Sequence, residues 1–210
     1  MNYVQPIAGP GSTVAAVFDQ IALGGTRSLV GLYAKDGTEY GSFARRHPEW
    51  ETYGHLETAY FVLGASTDEY YALSFGLPYD VRLYDSAGNL VRRFSGSPPF
   101  FEGTFMKDGF EYPNGSTLAS MSFRDEYVLN FLRDNVDKVW YVDALRVDGD
   151  VLERHRIEDP HWDYETYPLM ASDDAHVYAV SPAPYPKLVK FRLDVTTDQG
   201  RNGHAVAPAR

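Results

Sequence analysis

The side chains that could do chemistry gather in two stretches that echo each other: His47-Pro48-Glu49-Trp50 with Tyr53, and Pro160-His161-Trp162-Asp163 with Tyr164 and Tyr167. Each sets an imidazole and a carboxylate beside indole and phenol rings. Tyr79 and Tyr185, each directly after a proline, are candidates for the same surface. This mixture suits sugars, peptides or other amphipathic ligands, because aromatic rings supply contact area at low entropic cost. The same rings can also serve packing alone, filling the wedge between neighbouring structural units. A metal would need converging imidazoles and carboxylates. His155, Asp159, His161 and Asp163 are close in sequence, and His47 and His55 could join them, but their spacing matches no ligand motif. The sequence therefore predicts no metal, no cofactor and no nameable catalytic residue.

Other chemistries find no foothold. There is no cysteine, so disulfides, thiolate metal sites and cysteine nucleophiles are all excluded. No G-x-S-x-G elbow, phosphate loop or dinucleotide fingerprint occurs. Asp108-Gly109 reads as a turn, and Asp148-Gly149-Asp150 as part of a hairpin rather than a calcium loop. Asn114-Gly115-Ser116 is a glycosylation sequon, meaningful only in a eukaryotic secretory setting. Arg45-Arg46 and Arg92-Arg93 read as isolated pairs on solvated surface. A formal net charge of −10 opposes nucleic acid or an anionic membrane as partner, although a solubilising surface explains it equally well. No apolar run approaches a membrane span. The N-terminal stretch has no Lys or Arg before Arg27 and no sustained apolar core, so it does not read as a signal peptide. The expected compartment is periplasmic or secreted if the native N-terminus is missing, and cytoplasmic otherwise.

What must position these residues is a set of β-hairpins. The stretch YDVRLYDSAGNLVRRF, from Tyr79 to Phe94, reads as two strands folded about Ala87-Gly88, where glycine can take the positive φ of a tight turn. Moved back 51 positions it lands on a similar hairpin: Tyr84, Gly88 and Phe94 fall on Tyr33, Gly37 and Phe43. Two landmarks recur in step along the chain. One is an Asp before a β-rich run (Asp19, Asp68, Asp125, Asp174), and the other is a hairpin glycine (Gly37, Gly88, Gly149 and, more weakly, Gly200). They define four units at about 13–43, 57–94, 117–157 and 168–207, a period typical of propeller-type repeats.

Each unit reads as four strands. The predicted spans are 13–18, 20–24, 28–34 and 38–43 in the first unit, and 57–63, 69–75, 80–85 and 89–94 in the second. The third gives 117–123, 126–132, 139–146 and 150–157. The fourth gives 168–172, 176–181 and 187–194 before it weakens. Helical periodicity is nowhere sustained. Serial four-stranded antiparallel units predict an all-β fold, a β-propeller whose inter-unit links 44–56, 95–116 and 158–167 share one face with the loops carrying Tyr79 and Tyr185. The 95–116 link holds Phe100, Phe101, Phe105 and Phe110. It is expected to fold over a blade edge or cover a partner surface.

The phrase V-x-L-Y-D-x-x-G-N-L-V-x-x-F, with the later VYAVS and YPKLVKFRLD, resembles bacterial six-bladed β-propeller proteins of the NHL-repeat kind. The resemblance implies a propeller with about four blades in this chain, as part of a six-bladed ring in preference to a complete four-bladed one. Open blade edges would then favour self-association. It also frames two functions. One is a non-catalytic binding or scaffold module that holds a protein, peptide or glycan on its loop face. The other is a metal-dependent lactonase or hydrolase with its site at the central channel. The expected innermost strands contain a single carboxylate, Glu57, which favours binding over a channel metal.

Overall fold

The computed structural model describes residues 4–9, 13–18, 28–49, 52, 62–94, 97–116, 121–124, 126–149, 152–157, 169–172, 176–181 and 187–192. The chain divides into two compact units, Met1–Thr117 and Leu118–Arg210. Its fold is all-β.

In the first unit, β1 (Val4–Ala8), β2 (Val14–Phe18), β3 (Val30–Tyr33) and β4 (Glu39–Phe43) pair in chain order, all antiparallel. A second sheet repeats the plan with β5 (Val62–Ser66), β6 (Tyr70–Phe75), β7 (Asp80–Asp85) and β8 (Leu90–Phe94). Their third-to-fourth-strand hairpins match in detail. Gly37 and Gly88 both adopt left-handed φ, +83° and +84°. Ala34 bonds with Thr38 and Gly37 as Asp85 does with Asn89 and Gly88. A register irregularity falls between Leu32 and Tyr33 in one hairpin and between Leu83 and Tyr84 in the other. Sequence similarity between the hairpins therefore extends to the same backbone bulge.

The two sheets share one core. Val17, Leu32 and Phe43 of the first sheet meet Tyr71, Leu73, Phe75 and Tyr84 of the second. The Phe43 ring lies 5.1 Å from Tyr71 and 5.0 Å from Tyr84. Strand β5 approaches the first sheet closely because Gly64 has no side chain. A Cβ there would sit 2.7 Å from Val17 Cγ2. The Gln5 side-chain amide exploits that approach, accepting from the Gly64 N–H (2.9 Å) and donating to the Gly64 carbonyl (3.1 Å). Ser66 adds a hydroxyl hydrogen bond to the Ala8 carbonyl.

Beyond β8 come a 3-10 turn (Pro99–Phe101), a separate hairpin of β9 (Thr104–Lys107) and β10 (Phe110–Pro113), and the two-residue β11 (Gly115–Ser116). In the second unit, β12 (Met121–Arg124), β13 (Tyr127–Asp134), β14 (Val139–Arg146) and β15 (Leu152–Ile157) pair in chain order. β16 (Leu169–Ser172), β17 (His176–Ser181) and β18 (Lys187–Arg192) form a further antiparallel meander. Strand β13 is buried along its whole length. The first strands of consecutive sheets are neighbours in both units, β1 with β5 and β12 with β16.

Most predicted strands of the second, third and fourth units fall within a few residues of those observed. The first unit needs a correction. Its leading strand is β1, ahead of the predicted start, and 13–18 is the second strand. Pro6 hid this strand, because a proline removes a ladder donor; among the described residues β1 pairs with β2 alone and tolerates it. The predicted strand 20–24 lies outside the described residues. The leading strand of the second unit also shifts, from 57–63 to Val62–Ser66. Gly149 sits in the β14–β15 turn as expected, but it does not share the left-handed conformation of Gly37 and Gly88. Asp68 lies in the turn before β6, whereas Asp19, Asp125 and Asp174 are outside the described residues.

Candidate functional site

Of the eight predicted ligand-face residues, the structure describes two. His47 and Tyr79 are both buried. Trp50, Tyr53, His161, Trp162, Tyr164 and Tyr185 lie outside the described residues. His47 and Tyr79 belong to different clusters.

His47 joins a polar knot on the face of the second sheet that meets the first. Strand alternation places Asp80 and Arg82 on the same face of β7, and antiparallel register sets Arg93 opposite Arg82. Asp80 is fully buried. Its Oδ2 accepts from Arg82 Nε and lies 2.8 Å from Arg82 Nη2, while Oδ1 accepts from Arg93 Nε at 2.7 Å. The Arg82 guanidinium lies over Phe75, with Cζ 4.2 Å from the ring centre. It also donates through Nη1 to the Arg45 carbonyl at 2.7 Å, pinning the segment that leaves β4.

His47 closes the knot from that segment. Its Nδ1 accepts the Glu49 N–H at 3.2 Å, its Nε2 is 3.4 Å from Asp80 Oδ2 and 3.1 Å from Arg93 Nη2, and its ring meets Phe75 edge-on. Burial holds the imidazole below its ordinary pKa. Arg82 and Arg93 push the same way, against the opposing pull of Asp80. The Arg93 guanidinium is raised, chiefly by its hydrogen bond to Asp80. Every group here is answered by another protein group, so the knot fastens the link after β4 to the second sheet. Its imidazole and its carboxylate are both buried.

Reading Arg92-Arg93 and Arg45-Arg46 as solvated pairs missed this. Arg93 is tied to Asp80, and the Arg45 carbonyl is tied to Arg82. A usable signal existed: Asp80 and Arg82 two residues apart in an otherwise apolar strand must share one face, and a buried face cannot leave either charge unpaired. A related pair occurs in the second unit. There the buried Asp143 accepts two bonds from Arg154, directly opposite it, at 2.7 and 2.8 Å. His155 is buried on the other face, with Nε2 3.5 Å from Glu153. Asp159, His161, Asp163 and His55 lie outside the described residues.

Tyr79 packs edge-on against Phe101, with ring centres 5.5 Å apart. Phe101 is buried in the 3-10 turn that starts the long link, with Gly115 so close that a Cβ would meet its ring at 2.6 Å. One end of this aromatic link is thus packed down. The other end is exposed. The β9–β10 hairpin turns at Asp108-Gly109, both in left-handed conformation. It exposes Met106 (67%), Phe110 (68%) and Tyr112 (36%). Phe105 stacks on Tyr112 at 5.7 Å. The turn was legible in the sequence; its flanking strands were not assigned.

Together these features define a class, an all-β protein of serial antiparallel meanders with a separate two-stranded ribbon that exposes aromatic side chains. No protein-family model matches the chain, and no curated protein matches it.

Proposed function

We propose that the meanders are blades of a β-propeller of the NHL-like kind, and that the protein is a non-catalytic binding module holding a protein, peptide or glycan on its inter-blade link face. The propeller reading is supported by three features: antiparallel pairing in chain order along β1–β4, β5–β8, β12–β15 and β16–β18, the matching bulged hairpins at Gly37 and Gly88, and the juxtaposition of leading strands β1–β5 and β12–β16.

The observation that carries the binding reading is the contrast between two links. The first is fastened at Arg45 and His47 by the knot around Asp80, where the His47 imidazole is buried and paired. The second carries a two-stranded hairpin of its own and leaves Met106, Phe110 and Tyr112 in solvent. Keeping such rings exposed has a hydrophobic cost that a binding partner would recover.

The test is selection of ligands from peptide-display and glycan libraries on the immobilised full chain, repeated with Phe110→Ser/Tyr112→Ser. Ligands retained by the native chain and lost by the double variant support the reading. No selected ligand, or equal retention by both proteins, overturns it.

A further inference from the structure

The ribbon has two edges, and the backbone distinguishes them. Lys107 and Phe110 close a two-residue turn, so they exchange ladder hydrogen bonds, and the pairs above them alternate. The phase is fixed at the far end, where the Asn114 N–H donates to the Gly103 carbonyl at 3.1 Å. Phe105–Tyr112 is accordingly a bonded pair, whereas Thr104–Pro113 and Met106–Glu111 turn their backbone groups outwards. Strand β9 thus presents two N–H and two C=O groups along its free edge, from Thr104 and Met106. The outer edge of β10 has only one donor, at Glu111, because Pro113 carries no N–H. Among the described residues, no strand pairs with the outer edge of β9.

The side chains beside that edge are sorted by face. Phe105, Phe110 and Tyr112 share one face with Lys107 near the turn; Met106 and Glu111 lie on the other. Glu111 Oε1 accepts the Thr104 hydroxyl at 2.6 Å, which draws the carboxylate across the hairpin towards the β9 edge. Exposed Glu102 and Asp108 stand near the two ends of β9, and the whole chain carries a net charge of −10.

Resting on the binding-module reading, we infer that β9 accepts an extended peptide of alternating apolar and basic residues as a third strand. The peptide's backbone pairs with Thr104 and Met106. Its apolar side chains extend the Phe105–Tyr112 face, and its Lys or Arg side chains lie on the Glu111 face. Main-chain bonds supply affinity and the alternation supplies specificity. The acidic surroundings speed encounter with a cationic segment.

The probe is a fluorescein-labelled eight-residue peptide of alternating Val and Lys, followed by anisotropy on the full chain. Three controls accompany it: a Val–Glu peptide, a Val–Lys peptide N-methylated along one edge, and the variant Met106→Pro, which removes an outward donor but no ladder bond. Saturable binding is expected, at least about tenfold weaker for Val–Glu and for both backbone-blocked controls. Equal binding of Val–Glu, or no effect of N-methylation, overturns the inference, and the methylated peptide decides this even if Met106→Pro folds poorly. A concentration-dependent dimer abolished by Met106→Pro, with no peptide binding, also overturns it by assigning the edge to a second copy. If library ligands depend on Phe110 while the Val–Lys peptide fails, this inference falls and the binding-module reading survives.

Discussion

Replacing Asp80 with alanine isolates what the polar knot contributes. The carboxylate is fully buried and accepts from two guanidiniums, of which Arg82 is buried and Arg93 is 46% exposed in its side chain. Removing it strands the Arg82 charge over Phe75, with the Arg45 carbonyl and the Tyr84 hydroxyl left to answer it. Breaking a buried pair in this way typically costs about 3–5 kcal/mol. Arg93→Ala acts at the wet end of the same network, where screening limits an ion pair to about 1 kcal/mol or less. In urea, with a slope of about 1–3 kcal/mol per molar, Asp80→Ala should lower the midpoint by at least about 1 M and Arg93→Ala by no more than about half of that. Hydrogen exchange of the β7 and β8 amides localises the effect to the first unit. The double variant Asp80→Leu/Arg82→Met removes both buried charges together and should recover most of the loss, since apolar groups of similar volume often replace a buried pair at little cost. Asp80→Ala within about 1 kcal/mol of the native chain, or no worse than Arg93→Ala, would refute the reasoning.

Three further outcomes follow from the same geometry. The imidazolium form of His47 would lose its acceptance of the Glu49 N–H and set a third positive charge beside one carboxylate, with Arg82 and Arg93 already there and Glu49 exposed at the rim. Because its folded pKa lies below the ordinary 6.5, this contribution to stability is fully present above about pH 6.5 and is lost as pH falls towards the folded value; His47→Gln should flatten that part of a stability-versus-pH curve. Gly88→Ala should destabilise more than Gly37→Ala in thermal unfolding. Both sites require left-handed φ, but an added Cβ at 88 meets Phe43 at 2.9 Å, whereas at 37 it meets nothing within 4 Å. Gly64→Ala should cost about 1–3 kcal/mol by pushing β5 off Val17, and Gln5→Ala a similar amount by leaving the Gly64 backbone unanswered; calorimetry with both variants checks this.

The sequence by itself determined the strand plan. Short runs rich in β-forming residues, such as YYALSF and DVRLYD, and glycine at Gly37 and Gly88, are local properties of a pleated chain and its turns, so they can be read without knowing what lies opposite. It also marked the aromatic link and the Asp108-Gly109 turn. Strand β1 escaped because Pro6 argues against a strand unless that strand is known to be an edge, and edge status is a property of the sheet.

Only the tertiary structure decided the fates of the chemistry-bearing residues. His47 looks like a ligand residue until Asp80, Arg82 and Arg93 close around it, from 33 to 46 positions away in the chain. Phe101 and Phe110 are the same residue type in the same link, yet one is buried against Tyr79 and the other stands in solvent. Residue type and spacing fix which side chains share a strand face. Whether that face is buried, paired or left open depends on the neighbouring element, which pairwise local pattern does not encode.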